Sequence, residues 1–102
     1  MKSLIELHAY AKGNLIGPRY DAAQIREQME ITLASAGDVV LDFSGVEATQ
    51  SFIDGLVGHL ILQRGPDILG RIVFKACSDD VKAIIQFVAT DRCDQYLKSN
   101  TH

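Results

Sequence analysis

The chain has 102 residues, 47% of them hydrophobic and 23% charged, and a formal net charge of −3. That is the size and composition of one folded domain, too apolar for a disordered chain. An acidic sequence without a basic run excludes nucleic acid as the expected partner. No apolar stretch approaches the roughly 20 residues of a membrane span.

Glu6 and His8 interrupt what would have to be the apolar core of a signal peptide, so the expected compartment is the cytoplasm. Cys77 and Cys93 show neither a CxxC pattern nor a metal-ligand spacing, and are expected to be two reduced thiols.

In chain order, Leu4 to Tyr10 alternates, with Ile5, Leu7 and Ala9 on one face and Glu6, His8 and Tyr10 on the other. This is the period of a half-buried strand. Lys12-Gly13-Asn14 reads as a turn, and Leu15-Ile16 as a short second strand stopped by Gly17-Pro18. Asp21 stands where an N-cap would, with Gln24 three residues later completing a capping-box pattern. Ile25, Met29 and Leu33, with Ala22 and Ala36, give the next helix its apolar stripe, and Gly37 is placed to end it.

Val39-Val40-Leu41 with Phe43 is a short apolar run, the signature of a strand covered on both faces or in the middle of a sheet. Asp42 and Ser44-Gly45 close it, and the Asp42 carboxylate is expected to fix the turn. Phe52, Ile53, Leu56, Val57, Leu60 and Ile61 then recur at helical spacing until Gln63 to Asp67 breaks the pattern. Gly55 and Gly58 fall inside this helix, where each costs ~1 kcal/mol in propensity relative to alanine. Close packing of this helix on the sheet is the expected reason.

Ile72-Val73-Phe74 predicts a third core strand. Ser78 caps a third helix, with Asp79 and Asp80 in the first turn, where carboxylates suit the dipole. Val81, Ile84, Ile85 and Val88 form its buried face, and the stretch from Thr90 to His102 reads as a polar tail pinned by Tyr96 and Leu97. The order predicts one α/β domain over residues 1–102, with a mixed sheet of about four strands packed with three main helices.

The chemistry-bearing residues are few. His8, His59 and His102 share no metal spacing, and His59 is expected to be a helix-face side chain. No phosphate-cradling glycine loop is present, nor any legible set of nucleophile, base and orienter. A phosphoacceptor role for Asp42 would need an acidic pair after the first strand, and His8-Ala9-Tyr10 stands there instead. A non-enzymatic domain without cofactor or metal is expected.

The informative stretch is Val39 to Leu60, VVLDFSGVEATQSFIDGLVGHL. A core strand ends in Asp42 and Phe43, Val46 follows, and Ser51, Phe52 and Asp54 open an amphipathic helix. This resembles the STAS domain of bacterial anti-sigma-factor antagonists, and more closely the STAS-like family of small bacterial proteins. The lead-in from Leu15 to Arg26 (LIGPRYDAAQIR) is similar to that family's as well.

In the antagonists, a serine at this helix start is phosphorylated by a partner kinase, and Ser51 aligns with it. The chain has Gln50 where antagonists usually place Asp, and Gly55 where the STAS-like family often has Glu. The resemblance implies a regulatory interaction module whose partner is a histidine-kinase-like ATPase or an anti-sigma factor. Thr49, Gln50, Ser51 and Asp54 would then form the phosphorylation and docking edge, and a homodimer is compatible with it.

From the residues alone, Ser51-Phe52-Ile53-Asp54 has capping-box spacing, so Ser51 is expected to cap the helix. A phosphate there would meet free N–H groups and the positive end of the helix dipole. The alternative is a small ligand- or anion-binding domain that uses the Asp42–Ser44 loop together with the Ser51 helix N-terminus.

Overall fold

The computed structural model describes residues 2–17, 19–35 and 37–99. Strands β1 (Lys2–Glu6), β3 (Asp38–Asp42) and β5 (Ile72–Lys75) lie side by side in the order β1-β3-β5, and both pairings are parallel. A separate parallel ladder joins β2 (Leu15–Ile16) to β4 (Glu47–Ala48).

The expected sheet of about four mixed strands is therefore divided into a 3-stranded and a 2-stranded sheet. The reason lies just after β1. The expected strand to Tyr10 ends at Glu6, and the 3-10 turn Leu7–Tyr10 carries the chain off the sheet edge. Leu15 and Ile16 then find their partners in Glu47 and Ala48, while Gly13 supplies the φ of +64° that the preceding turn needs.

As expected, Val39 to Leu41 lies in the middle strand. The sheet nonetheless has two unlike faces. Ile5, Leu41, Val39 and Ile72 point into the core and are buried. On the opposite face Leu4, Val40 and Val73 stand in one cross-strand row, with Leu4 56% and Val73 50% exposed. One face carries the core, and the other meets solvent.

Helix α1 (Arg19–Ala34) begins ahead of its expected cap, so Asp21 lies inside the first turn. A carboxylate is favoured there by the dipole, so the same residue fits either helix start. Pro18, Ala36 and His102, each used in the sequence reading, lie outside the described residues. At the other end, the Gly37 N–H closes onto the Thr32 carbonyl at 3.0 Å. Arg71 donates from Nη2 to the Leu33 and Gly37 carbonyls at 2.7 and 2.6 Å, placing a cation at the negative end of α1.

The second expected helix spans residues 50–64 without a break, but its hydrogen bonding changes midway. An α-turn, α2 (Gln50–Ile53), passes into a π-turn (Asp54–Gly58) and returns as α3 (His59–Arg64). Gly65 ends it with φ +88°, and the 3-10 turn Pro66–Arg71 leads into β5. Ser78 caps α4 (Asp79–Ser99) as expected, its Oγ accepting from the Val81 N–H at 3.2 Å while donating to Glu47 at 2.8 Å.

The expected polar tail from Thr90 is helix up to Ser99. Tyr96 accounts for part of this: an added Cβ at Gly65 would stand 3.1 Å from its phenol oxygen. Leu97, by contrast, is 58% exposed. One apolar core joins the inner sheet face to α1, the 50–64 helix and α4, with Met29, Leu41, Phe43, Phe52, Leu56 and Leu60 fully buried at its centre.

Candidate functional site

The expected cap is not Ser51. Thr49 has the extended backbone of an N-cap, and its Oγ1 accepts from the Phe52 N–H at 3.1 Å. The same hydroxyl donates to the Gly17 carbonyl at 3.2 Å, and the Thr49 N–H donates to the Ile16 carbonyl at 3.2 Å. Thr49 thus rivets the start of α2 to the β2 strand. The helix therefore starts before Ser51, because threonine caps as serine does and this one also has partners across the fold.

Ser51, freed of that task, is exposed in the first helical turn beside exposed Gln50. Asp54 does not reach back to close a capping box either. Its carboxylate takes two hydrogen bonds from Arg92 of α4, 2.6 Å from Nε and 2.7 Å from Nη2. The pair holds the guanidinium's proton more firmly than usual, chiefly through that hydrogen bond. Arg92 Nη1 also donates to Gln95 at 2.6 Å.

Gly58 explains why the helices meet closely here. A Cβ at that position would stand 2.5 Å from Asp54 Oδ1, 3.1 Å from Arg92 Cγ and 3.2 Å from Val88 Cγ1. The close packing expected on the sheet is, at Gly58, instead against α4, because α4 lies across this helix.

Between the two helices runs a groove of about 260 Å³, with Gln50, Ser51 and Asp54 on one wall and Phe87, Asp91 and Arg92 on the other. Phe87 is 59% exposed. Of the expected site residues, the groove collects Gln50, Ser51 and Asp54. Thr49 stands behind it as a structural joint. Asp42 and Ser44 are not in its walls.

Asp42 instead closes its own turn. Its Oδ1 accepts from the Ser44 hydroxyl at 2.6 Å and the Ser44 N–H at 2.9 Å. Those bonds, helped by Lys75, hold the carboxyl below the usual aspartate range. The two loops of the anion-binding alternative therefore do not share the groove at Ser51.

His8 and His59 are exposed side chains. Among the described residues no three potential ligands gather as a metal site, and no helix is long and apolar enough to cross a membrane. Cys77 and Cys93 are unbridged, and burial pushes the Cys77 thiol up. The residues that sequence reasoning missed are Phe87 and Arg92. Arg92 meets a partner 38 positions away, a separation that leaves no local spacing to read.

A small all-parallel α/β sheet, cored on one side by helices and carrying a serine-edged groove between two of them, defines the class of domain. Residues 21–82 match the family described as the STAS-like domain of unknown function (DUF4325), and the chain belongs to that family. No curated protein and no solved structure matches it.

Proposed function

We propose that this chain is a non-enzymatic regulatory module of the cytoplasm, docking a protein partner through the Thr49–Leu56 edge and switched by phosphorylation of Ser51. The observation that carries this reading is the division of labour at the helix start. Thr49 supplies the cap, so the Ser51 hydroxyl is exposed and can be modified without unfastening the helix. A phosphate adds about two negative charges and sits well in the first turn of a helix.

Asp54 lies three residues on, where like charge would oppose the phosphate, but Arg92 already pairs with it. Across the groove, exposed Phe87 offers an aromatic anchor of the kind that dominates interface energetics. By family resemblance the partner is a histidine-kinase-like ATPase or an anti-sigma factor.

The experiment compares the unmodified protein with protein carrying phosphoserine at position 51. Capture from a bacterial lysate identifies the partner, and its affinity for both forms is then measured with purified components. The expected result is a partner of that class that binds the unmodified form at least about tenfold more tightly, a difference of about 1.4 kcal/mol. Equal affinity for both forms overturns the switch. Retention of no protein by either form overturns the interaction reading.

A further inference from the structure

On the other side of the Asp54–Arg92 pair lies a larger cavity, about 410 Å³, walled by α1, the π-turn, α3 and α4. We propose that it binds the phosphate group of a small phosphorylated molecule. Its volume is in the range of sites that enclose small ligands.

The charged groups in its walls are Arg26, Arg92 and Asp54, with His59 beside them. Two guanidinium groups and one carboxylate line the cavity, and a second carboxylate, Glu30, pairs with Arg26. Asp54 is committed through both oxygens to Arg92, so its charge is already answered.

Arg26 is the principal donor. It comes from α1, its side chain is 20% exposed, and Glu30 stands 4.0 Å from its Nε. Nη1 donates to the Gly55 carbonyl at 2.5 Å, which fixes the guanidinium against the π-turn and leaves N–H groups over for a ligand. Arg92 is fixed from the other side by its two bonds to Asp54. Both cations are thus held in place before any ligand arrives.

The geometry favours phosphate over carboxylate. A planar carboxylate is satisfied by one arginine fork. Here two guanidinium groups and an imidazole approach from three different helices, an arrangement suited to an anion with several oxygens in three dimensions. Gly55 lines the cavity without a side chain, and Leu62 gives an apolar surface for the rest of the molecule. π-turns within α-helices are frequent at functional sites, and this one forms part of the cavity wall.

The test titrates the full-length protein with inorganic phosphate and with phenyl phosphate, following the backbone amide of Gly55 and the side-chain Nε–H of Arg26 by NMR. Sodium acetate at matched ionic strength is the control. Saturable shifts are expected with both phosphates and not with acetate, and tighter binding of phenyl phosphate identifies an organic monoester over the free ion. Arg26→Gln should weaken binding at least tenfold. His59→Gln, at an exposed position, should weaken it several-fold without lowering the melting temperature, and it decides the matter if Arg26→Gln does not fold.

Ser51→Ala should leave the titration unchanged, which separates this site from the regulatory reading. Shifts reproduced by acetate would overturn the proposal. So would phosphate binding unaffected by His59→Gln and Arg26→Gln.

Discussion

Asp54 and Arg92 lie 38 residues apart and meet through two hydrogen bonds of 2.6 and 2.7 Å. Their side chains are 22% and 25% exposed, so the pair is only partly screened by water. It ties the π-turn to α4 and forms a wall shared by both clefts.

Removing one partner leaves the other charge poorly solvated. Asp54→Ala or Arg92→Ala should therefore cost about 1–3 kcal/mol, read from chemical denaturation. Arg92→Lys should recover less than half of that loss, because an ammonium cannot reproduce a two-pronged contact. Full recovery by lysine would show that only the charge matters.

Thr49 and Ser51 should separate cleanly in a stability assay. Thr49→Ala loses the cap at Phe52 and the bond to Gly17, so a loss of about 0.5–2 kcal/mol is expected. Ser51→Ala changes an exposed side chain and should stay within about 0.5 kcal/mol of the parent. The reverse order of effects would return the cap to Ser51.

Gly58→Ala runs against helix propensity. Alanine gains ~1 kcal/mol in a helix interior, yet its Cβ would meet Asp54 Oδ1 at 2.5 Å. Overpacking of this kind typically costs ~1–3 kcal/mol, so net destabilisation is expected. In an Asp54→Ala background the shortest of these contacts is removed, and the substitution should become less harmful although Arg92 and Val88 stay close. A stabilised Gly58→Ala single variant would mean that the helices part easily.

Asp42 supplies the pH dependence. Ser44 lowers its pKa in the folded chain, so the carboxylate's contribution is present above the ordinary aspartate pKa and is lost as pH falls through the lowered value. A carboxyl NMR titration should give Asp42 a midpoint below the usual ~3.9. Ser44→Ala should raise it towards that value, and an unchanged midpoint would remove Ser44 as the cause.

Much of the fold was legible because burial writes a periodic signal. Ile25, Met29 and Leu33 repeat at helical spacing, Val39 and Leu41 alternate, and all five are buried. The helix start at 50 was misplaced by two residues, since Thr49 and Ser51 carry the same local chemistry. What distinguishes them is the Gly17 carbonyl, which only the folded chain brings near. The same limit hid the cleft. Arg92 and Phe87 follow no pattern that marks them, and they acquire meaning only when α4 lies across the π-turn. The extent of α4 was missed because its exposed side reads as a polar tail, while Tyr96 lies close against a glycine 31 positions earlier.

The strand register has a consequence for how the molecule is made. Lys2 pairs opposite Asp38, and Val39 opposite Ile72. No two neighbours in the main sheet can form a hairpin, since parallel strands need a crossover. During synthesis β1 must stay unpaired until residues up to Asp42 have emerged, and β3 keeps a bare edge until Lys75 follows. Each step closes a loop whose entropic cost precedes any reward in contacts. Refolding should accordingly be slower than in a helical bundle of this length. Through that interval the N-terminal strand is the segment most open to capture by another chain.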